Sequence, residues 1–123
     1  MNTRKMGNDK EQLAAEYLNQ QGMRIVERNF RCRQGEIDMI GWHNGYLVFV
    51  EVKYRKNLGK GSASAAVDIR KQRRICMVAD YYRYRKRLGV NTMVRYDVVA
   101  IQDEEVQWIQ NAFPHIFTRD NRI

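Results

Sequence analysis

Proline is almost absent from this chain, at one in 123 residues, and cysteine and histidine are limited to two each. One proline, beside a hydrophobic fraction of 44% and a charged fraction of 29%, argues against long disordered linkers and leaves a globular composition. No stretch approaches the roughly 20 apolar residues that a membrane-spanning helix needs. The opening Met1-Asn2-Thr3-Arg4-Lys5 runs into polar residues rather than a signal-peptide apolar segment, so the expected location is the cytoplasm, with no membrane partner. Cys32 and Cys76 form no CxxC or Cys/His cluster, which argues against a thiolate zinc site or a disulfide framework; both read as reduced thiols. His43 and His115 lie far apart, His43 beside a turn, and neither is assigned a role.

What is abundant is positive charge. The 22 basic residues against 14 acidic ones give +8 and a pI near 9.8, which favours a polyanionic partner, nucleic acid ahead of an anionic membrane surface. The length suits one domain over residues 1–123, long enough to bury a core and too short for two.

Asn8 with Glu11 has the spacing of a capping box, and Leu13, Ala14, Tyr17, Leu18 and Gln21 then share a helical stripe ending before Gly22. A first helix is expected over roughly residues 8 to 21. Met23 to Phe30 reads as a strand, Arg31 to Gly35 as a turn, and Glu36 to Trp42 and Tyr46 to Tyr54 as the arms of a hairpin turning at Asn44-Gly45. Arg55 to Ser64, with two glycines and two serines, reads as a surface loop. The stripe Ile75, Val78, Ala79, Tyr82 predicts a second helix from about Ala65 to Leu88; Met93 to Ile101 and Glu105 to Ile109 complete the strands. The order is αβββαββ, a mixed α/β domain with a central sheet flanked by helices.

The hairpin carries the chemistry. A two-residue loop at Asn44-Gly45 sets His43 opposite Tyr46 and, counting back, Asp38 opposite Glu51 in the closer, non-hydrogen-bonded class of cross-strand pair. Period two adds Lys53 to the face that bears Glu51. Two carboxylates opposed on a buried strand require a cation or a proton between them, and hard oxygen ligands suit magnesium or manganese. Such an ion lowers the pKa of bound water and stabilises charge on a scissile phosphate, with Lys53 beside it. The alternative is an internal ion pair in which Lys53 bridges the two acids. A bulge or a three-residue loop would send the carboxylates to opposite faces.

Gly35-Glu36-Ile37-Asp38 followed by Phe49-Val50-Glu51-Val52-Lys53-Tyr54-Arg55 resembles the acid, acid-x-lysine signature of restriction-endonuclease-like nucleases. Nearly the whole chain is similar to the YraN-like bacterial proteins. The likeness runs through Gly7, Glu11-x-x-Ala14-x-x-Tyr17-Leu18, Lys71-Gln72, Arg95-Tyr96-Asp97-Val98-Val99-Ala100 and Glu105-Val106-Gln107-Trp108-Ile109. The resemblance implies a Holliday-junction-resolvase-like core and a divalent-metal-dependent endonuclease acting on structured or branched DNA. Asp38, Glu51 and the Val52 carbonyl would hold magnesium or manganese, and Lys53 would assist the water. Ile37 stands where many such nucleases have proline, which leaves the ligands intact.

By the same resemblance Glu11 faces the metal site, and its helical alignment with Ala14 and Leu18 agrees; an ordinary first-turn glutamate capping Asn8 is the other reading. Lys71 lies on the line of Ile75, Val78 and Tyr82 and points along the core face toward a bound phosphate, unless its stem only snorkels to water. Asp97, beside Arg95 and Tyr96, reads as structural. Arg70, Lys71 and Arg74 of the second helix, with Arg55, Lys56 and Lys60 of the loop, form the expected nucleic-acid-binding set, DNA ahead of RNA. Symmetric cleavage of two strands would call for a homodimer. Two other classes stay open: a non-catalytic nucleic-acid-binding module on the same fold, and an assembly protein using Trp42, Trp108 and the tyrosines.

Overall fold

Asn44 and Gly45 take φ of 51° and 83°, and positive φ at both central residues is the condition of a two-residue type I′ loop, whose twist matches that of the strands it joins. This computed structural model describes the backbone over residues 3–54 and 67–117, with side chains from residue 9 onward in those ranges. The loop joins β2 (Gly35–His43) to β3 (Tyr46–Tyr54), antiparallel, in the register it dictates, from His43↔Tyr46 to Met39↔Val50.

Around this hairpin stand α1 (Thr3–Gln20) and β1 (Arg24–Cys32) before it, and α2 (Ile69–Arg85), β4 (Val94–Gln102) and β5 (Glu105–Phe113) after it. The order is the expected αβββαββ, and the sheet runs β1-β2-β3-β4-β5. Among the described residues only β3 and β4 pair in parallel, from Leu47↔Val94 to Tyr54↔Ile101, the pairing that needs a long crossover, here through α2. This is the mixed α/β architecture of a restriction-endonuclease-like core. Among the described residues no helix is long and apolar enough to cross a membrane.

Each face of the sheet is covered by one helix. Ala14, Ala15 and Leu18 of α1 pack with Met39, Val48, Val50, Val99 and Ile101, while Ile75, Cys76, Val78, Ala79 and Tyr82 of α2 pack with Ile37, Phe49, Tyr96 and Val98. Coverage on both faces is why β3 and β4 read as nearly continuous apolar runs rather than as alternation. Gly41 is needed on β2 because a Cβ there would stand 2.8 Å from the Arg24 carbonyl oxygen, which is backbone and cannot yield.

Several boundaries differ from the sequence reading. Helix α1 starts at Thr3, so Asn8 is interior to it and not its cap; nothing in Arg4-Lys5-Met6 breaks a helix. Helix α2 starts at Ile69 rather than near Ala65, because Asp68, extended at φ −72° and ψ 169°, caps it by accepting the Lys71 N–H at 2.8 Å. It ends at Arg85, short of Leu88, and Arg87 follows with φ of 56°. Strand β1 runs on to Cys32, which leaves only Arg33-Gln34 between it and β2. Strand β5 continues past Ile109 to Phe113 through a register shift between Tyr96 and Val98, with Asn111 at φ 53°.

Candidate active site

The ladder between β2 and β3 stops at Met39↔Val50, one pair short of Asp38. Ile37 packs on the α2 side and Met39 on the α1 side although they are two residues apart, so β2 changes face at Asp38. On the neighbouring strand Asn29 has φ of 55°, between the pairs Arg28↔Met39 and Phe30↔Ile37. Where β2 veers off, Asp38 Oδ2 accepts the Val52 N–H at 2.7 Å. Asp38 and Glu51 are therefore not the directly opposed ladder pair expected from the sequence; they meet across a break in the strand.

The meeting is close all the same. Burial first, and then the charge of Glu51, push the Asp38 carboxyl up to about 8; Glu51 lies within hydrogen-bonding reach, Glu11 adds to the rise, and the Val52 N–H opposes it. Glu51 is 5% exposed on the central strand β3. Its Oε2 has two ammonium neighbours, Lys71 Nζ at 2.8 Å from the first turn of α2 and Lys53 Nζ at 3.6 Å from two residues along the same strand. Glu11, on α1, has a buried Oε1 without a hydrogen-bond partner among the described residues. A buried acceptor left unmatched is costly, and it points to a cation or proton donor as its natural complement.

Four of the residues named from the sequence, Glu11, Asp38, Glu51 and Lys53, thus gather where the sheet parts between its two helices, and Val52 supplies a backbone N–H to Asp38. The donors are hard oxygens, and magnesium or manganese binds through one or two carboxylates, so the residues fit such an ion. Among the described residues no three His, Cys, Asp or Glu side chains form a ready-made cage. The fit is that of two carboxylates with the third, Glu11, in electrostatic range.

Lys71 was expected to reach toward a phosphate; it lies on Glu51 instead, an approach across the crossover that helical periodicity cannot report. Arg70 and Arg74 are exposed on the same end of α2, while Arg55, Lys56 and Lys60 lie outside the described residues. Asp97 is structural as read. Fully buried, it accepts from Arg95 Nε and Nη2 at 2.9 Å each, from Trp108 Nε1 at 2.8 Å and from the Asn111 N–H at 2.9 Å. Arg95 also bonds His43 Nδ1 at 3.0 Å; burial, and then Arg95, hold His43 below its ordinary value. His115, given no role from the sequence, bonds the Tyr96 hydroxyl at 2.6 Å through Nδ1 and sits 3.5 Å from Asp80 through Nε2. Trp42 packs against the α2-side core, so both tryptophans have internal partners.

Sequence comparison with known proteins leads to a family. The profile of the Uncharacterised protein family UPF0102 matches residues 10–101, which contain Glu11, Asp38, Glu51, Val52, Lys53 and Lys71. A UPF0102 protein of Lachnoclostridium phytofermentans is 52% identical over 113 residues, covering 92% of this chain and 96% of the relative. One from Vibrio campbellii is 45% identical over 112 residues, covering 89% and 92%. Another, from Caldicellulosiruptor saccharolyticus, is 41% identical over 119 residues, covering 92% of this chain and 100% of the relative.

Proposed function

This chain belongs to the family UPF0102, and from its site we propose that it is a divalent-metal-dependent endonuclease hydrolysing phosphodiester bonds in structured or branched DNA. The observation that carries the reading is the gathering of Asp38, Glu51 and the unmatched Glu11 Oε1 beside two lysine ammonium groups in a protein of charge +8. Such a group of acids is unfavourable for folding and favourable for holding a cation.

Asp38, Glu51 and the Val52 carbonyl would hold magnesium or manganese, with Glu11 next to them. When bound, the ion supplies Lewis acidity toward the phosphate and a lowered pKa for water. The chain's own residues do the rest. Glu51 is held in place by strand β3, which pairs with β4 at Glu51↔Val98 and whose next residue, Val52, is bonded through its N–H to Asp38. Lys53, projecting from the same strand, presents a compact cation where charge grows on the scissile phosphate and can orient the attacking water. Arg70 and Arg74 lie exposed at the start of α2, where they track a phosphate backbone without reading bases.

The test is a cleavage screen with magnesium or manganese on branched, flapped and single-stranded substrates. Wild type cuts at least one class, and Glu51→Ala loses at least about a hundredfold, the scale of removing a major electrostatic group. If no substrate is cut, or if Glu51→Ala cuts as well as wild type, the proposal is wrong.

A second reading has its own observation. Asp38 pushed up to about 8 is largely protonated at neutral pH, and Glu51 has two lysines, so the site can also stand neutralised without metal. Such neutralisation supports the reading of a non-catalytic nucleic-acid-binding module on the same fold. Salt-dependent binding with no metal-dependent cleavage selects it.

A further inference from the structure

Glu51 Oε2 is already held by cations, and the two that hold it are not equivalent. Lys53 stands two residues from Glu51 on the same strand, so its point of attachment is fixed beside the carboxylate and its contact is the longer of the two. Lys71 comes from another element. Its side chain is 35% exposed, against 6% for Glu51, and its Nζ reaches inward from the solvent side to make the shorter approach, 2.8 Å against 3.6 Å. Its backbone is fixed, because its N–H is bonded to the Asp68 cap, but the four-carbon stem can swing. Beside it on the helix, Arg70 and Arg74 are exposed.

A divalent ion that takes Glu51 Oε2 competes with the ammonium at 2.8 Å for the lone pairs of that oxygen, and the two cations repel strongly at such distances in a partly desolvated site. An ion arriving on Glu51 therefore weakens the hold of the carboxylate on Lys71, the nearer of the two ammonium groups. The released ammonium can turn to water or to an anion, and in the proposed complex a nucleic-acid phosphate along the start of α2 is such an anion.

We propose that Lys71 is a displaceable stand-in for the divalent ion on Glu51, handed to a nucleic-acid phosphate when the ion binds, so that metal and nucleic acid bind cooperatively through this one side chain. The inference rests on the metal-dependent reading of the site given above. It makes Lys71 a positioning residue: without metal it occupies Glu51 and is withheld from nucleic acid, and with metal it is released to it. By linkage, nucleic acid then strengthens metal binding by the same factor that metal strengthens nucleic-acid binding.

The experiment is manganese titration calorimetry of the full chain, with and without a short single-stranded oligodeoxynucleotide, on wild type, Lys71→Met, Lys71→Gln and Arg73→Met. Arg73 is exposed and lies roughly 200° round the helix from Lys71, so its variant controls for loss of one positive charge. Either Lys71 variant that folds serves, as judged by circular dichroism. The expected result is that manganese binds roughly 5- to 150-fold tighter to the Lys71 variants without DNA, the usual span of coupling between sites. The strengthening that DNA gives the wild type shrinks toward none in these variants, while Arg73→Met keeps both the weak metal binding and the strengthening. Equal manganese affinity in wild type and Lys71→Met, or equal tightening in Arg73→Met, overturns the exchange and leaves the nuclease reading standing. Absence of manganese binding in every protein, with and without DNA, overturns both.

Discussion

Replacing Asp38 with asparagine tests the meeting of carboxylates on which the site depends, without any assay of cleavage. The asparagine keeps an oxygen to accept the Val52 N–H, which Asp38 takes at 2.7 Å, and its amide can donate toward Glu51 as a protonated Asp38 does. What the substitution removes is the cost of ionising. An aspartate with a folded value of about 8 against an ordinary 3.8 binds its proton more tightly folded than unfolded. The penalty is therefore absent below about pH 4, grows as the unfolded chain ionises, and levels off above about pH 8. The whole shift would amount to several kcal/mol, but Asp38 is partly open to solvent, and screening brings the expected gain to about 1–3 kcal/mol at pH 8. Urea unfolding in the presence of a chelator measures it. The Asp38→Asn protein should be more stable than wild type at pH 8, by an amount that shrinks toward zero at pH 4. A variant less stable than wild type at pH 8, or a difference that does not change with pH, refutes the claim that Glu51 and burial crowd this carboxyl.

Three further outcomes follow from other parts of the structure. Asp97→Ala leaves the buried Arg95 guanidinium, the Trp108 N–H and the Asn111 N–H without their acceptor, and should cost about 3–5 kcal/mol in urea unfolding; a loss under about 1 kcal/mol would contradict the pairing. His115, raised to about 9 chiefly by Asp80, adds stability that is full below about pH 6.5 and lost as pH climbs through 9. Wild type should therefore exceed His115→Gln by about 1–3 kcal/mol at pH 6 and by little at pH 10, and parallel pH profiles would count against it. Arg70→Ala with Arg74→Ala should lower the slope of log affinity for DNA against log salt by about 0.9 for each phosphate no longer neutralised, and an unchanged slope removes these two from the interface.

The hairpin was legible because Asn44-Gly45 permits few geometries, and its register brought Lys53 to Glu51 by period two alone. The break at Asp38 was hidden for a physical reason. With helices on both faces, Ile37, Met39 and Ile40 are all buried, so the apolar pattern carries no record of which face each one meets. Lys71 on Glu51 could not be read because its position depends on how α2 lies over β3, and periodicity orders a helix only against its own axis. The full length of β5 was obscured by Gln110-Asn111, a poor strand sequence that continues pairing only because the Asn111 N–H finds Asp97. Both helix starts departed from the sequence reading: Asp68 stops α2 short of Val67, and α1 runs through Asn8 from Thr3.

The two central strands, β3 and β4, each bury one acid, and the contrast between them separates structural from functional charge in this fold. Asp97 on β4 has a guanidinium, an indole N–H and a backbone N–H around it, so its charge is matched within the protein. Glu51 on β3 has another carboxyl within reach, a third whose Oε1 has no hydrogen-bond partner among the described residues, and two lysines, one of them borrowed from a helix and partly exposed. An acid kept only for folding would be expected to resemble Asp97, since leaving a buried polar group half-matched is worse than replacing it with an apolar one. Under the proposed metal-dependent reading, the unmatched acceptor and the movable ammonium are the cost of a site that is completed only when its ligands bind. A cation followed by a phosphate satisfies both deficits in turn, the first on the carboxylates and the second on the lysine released from them.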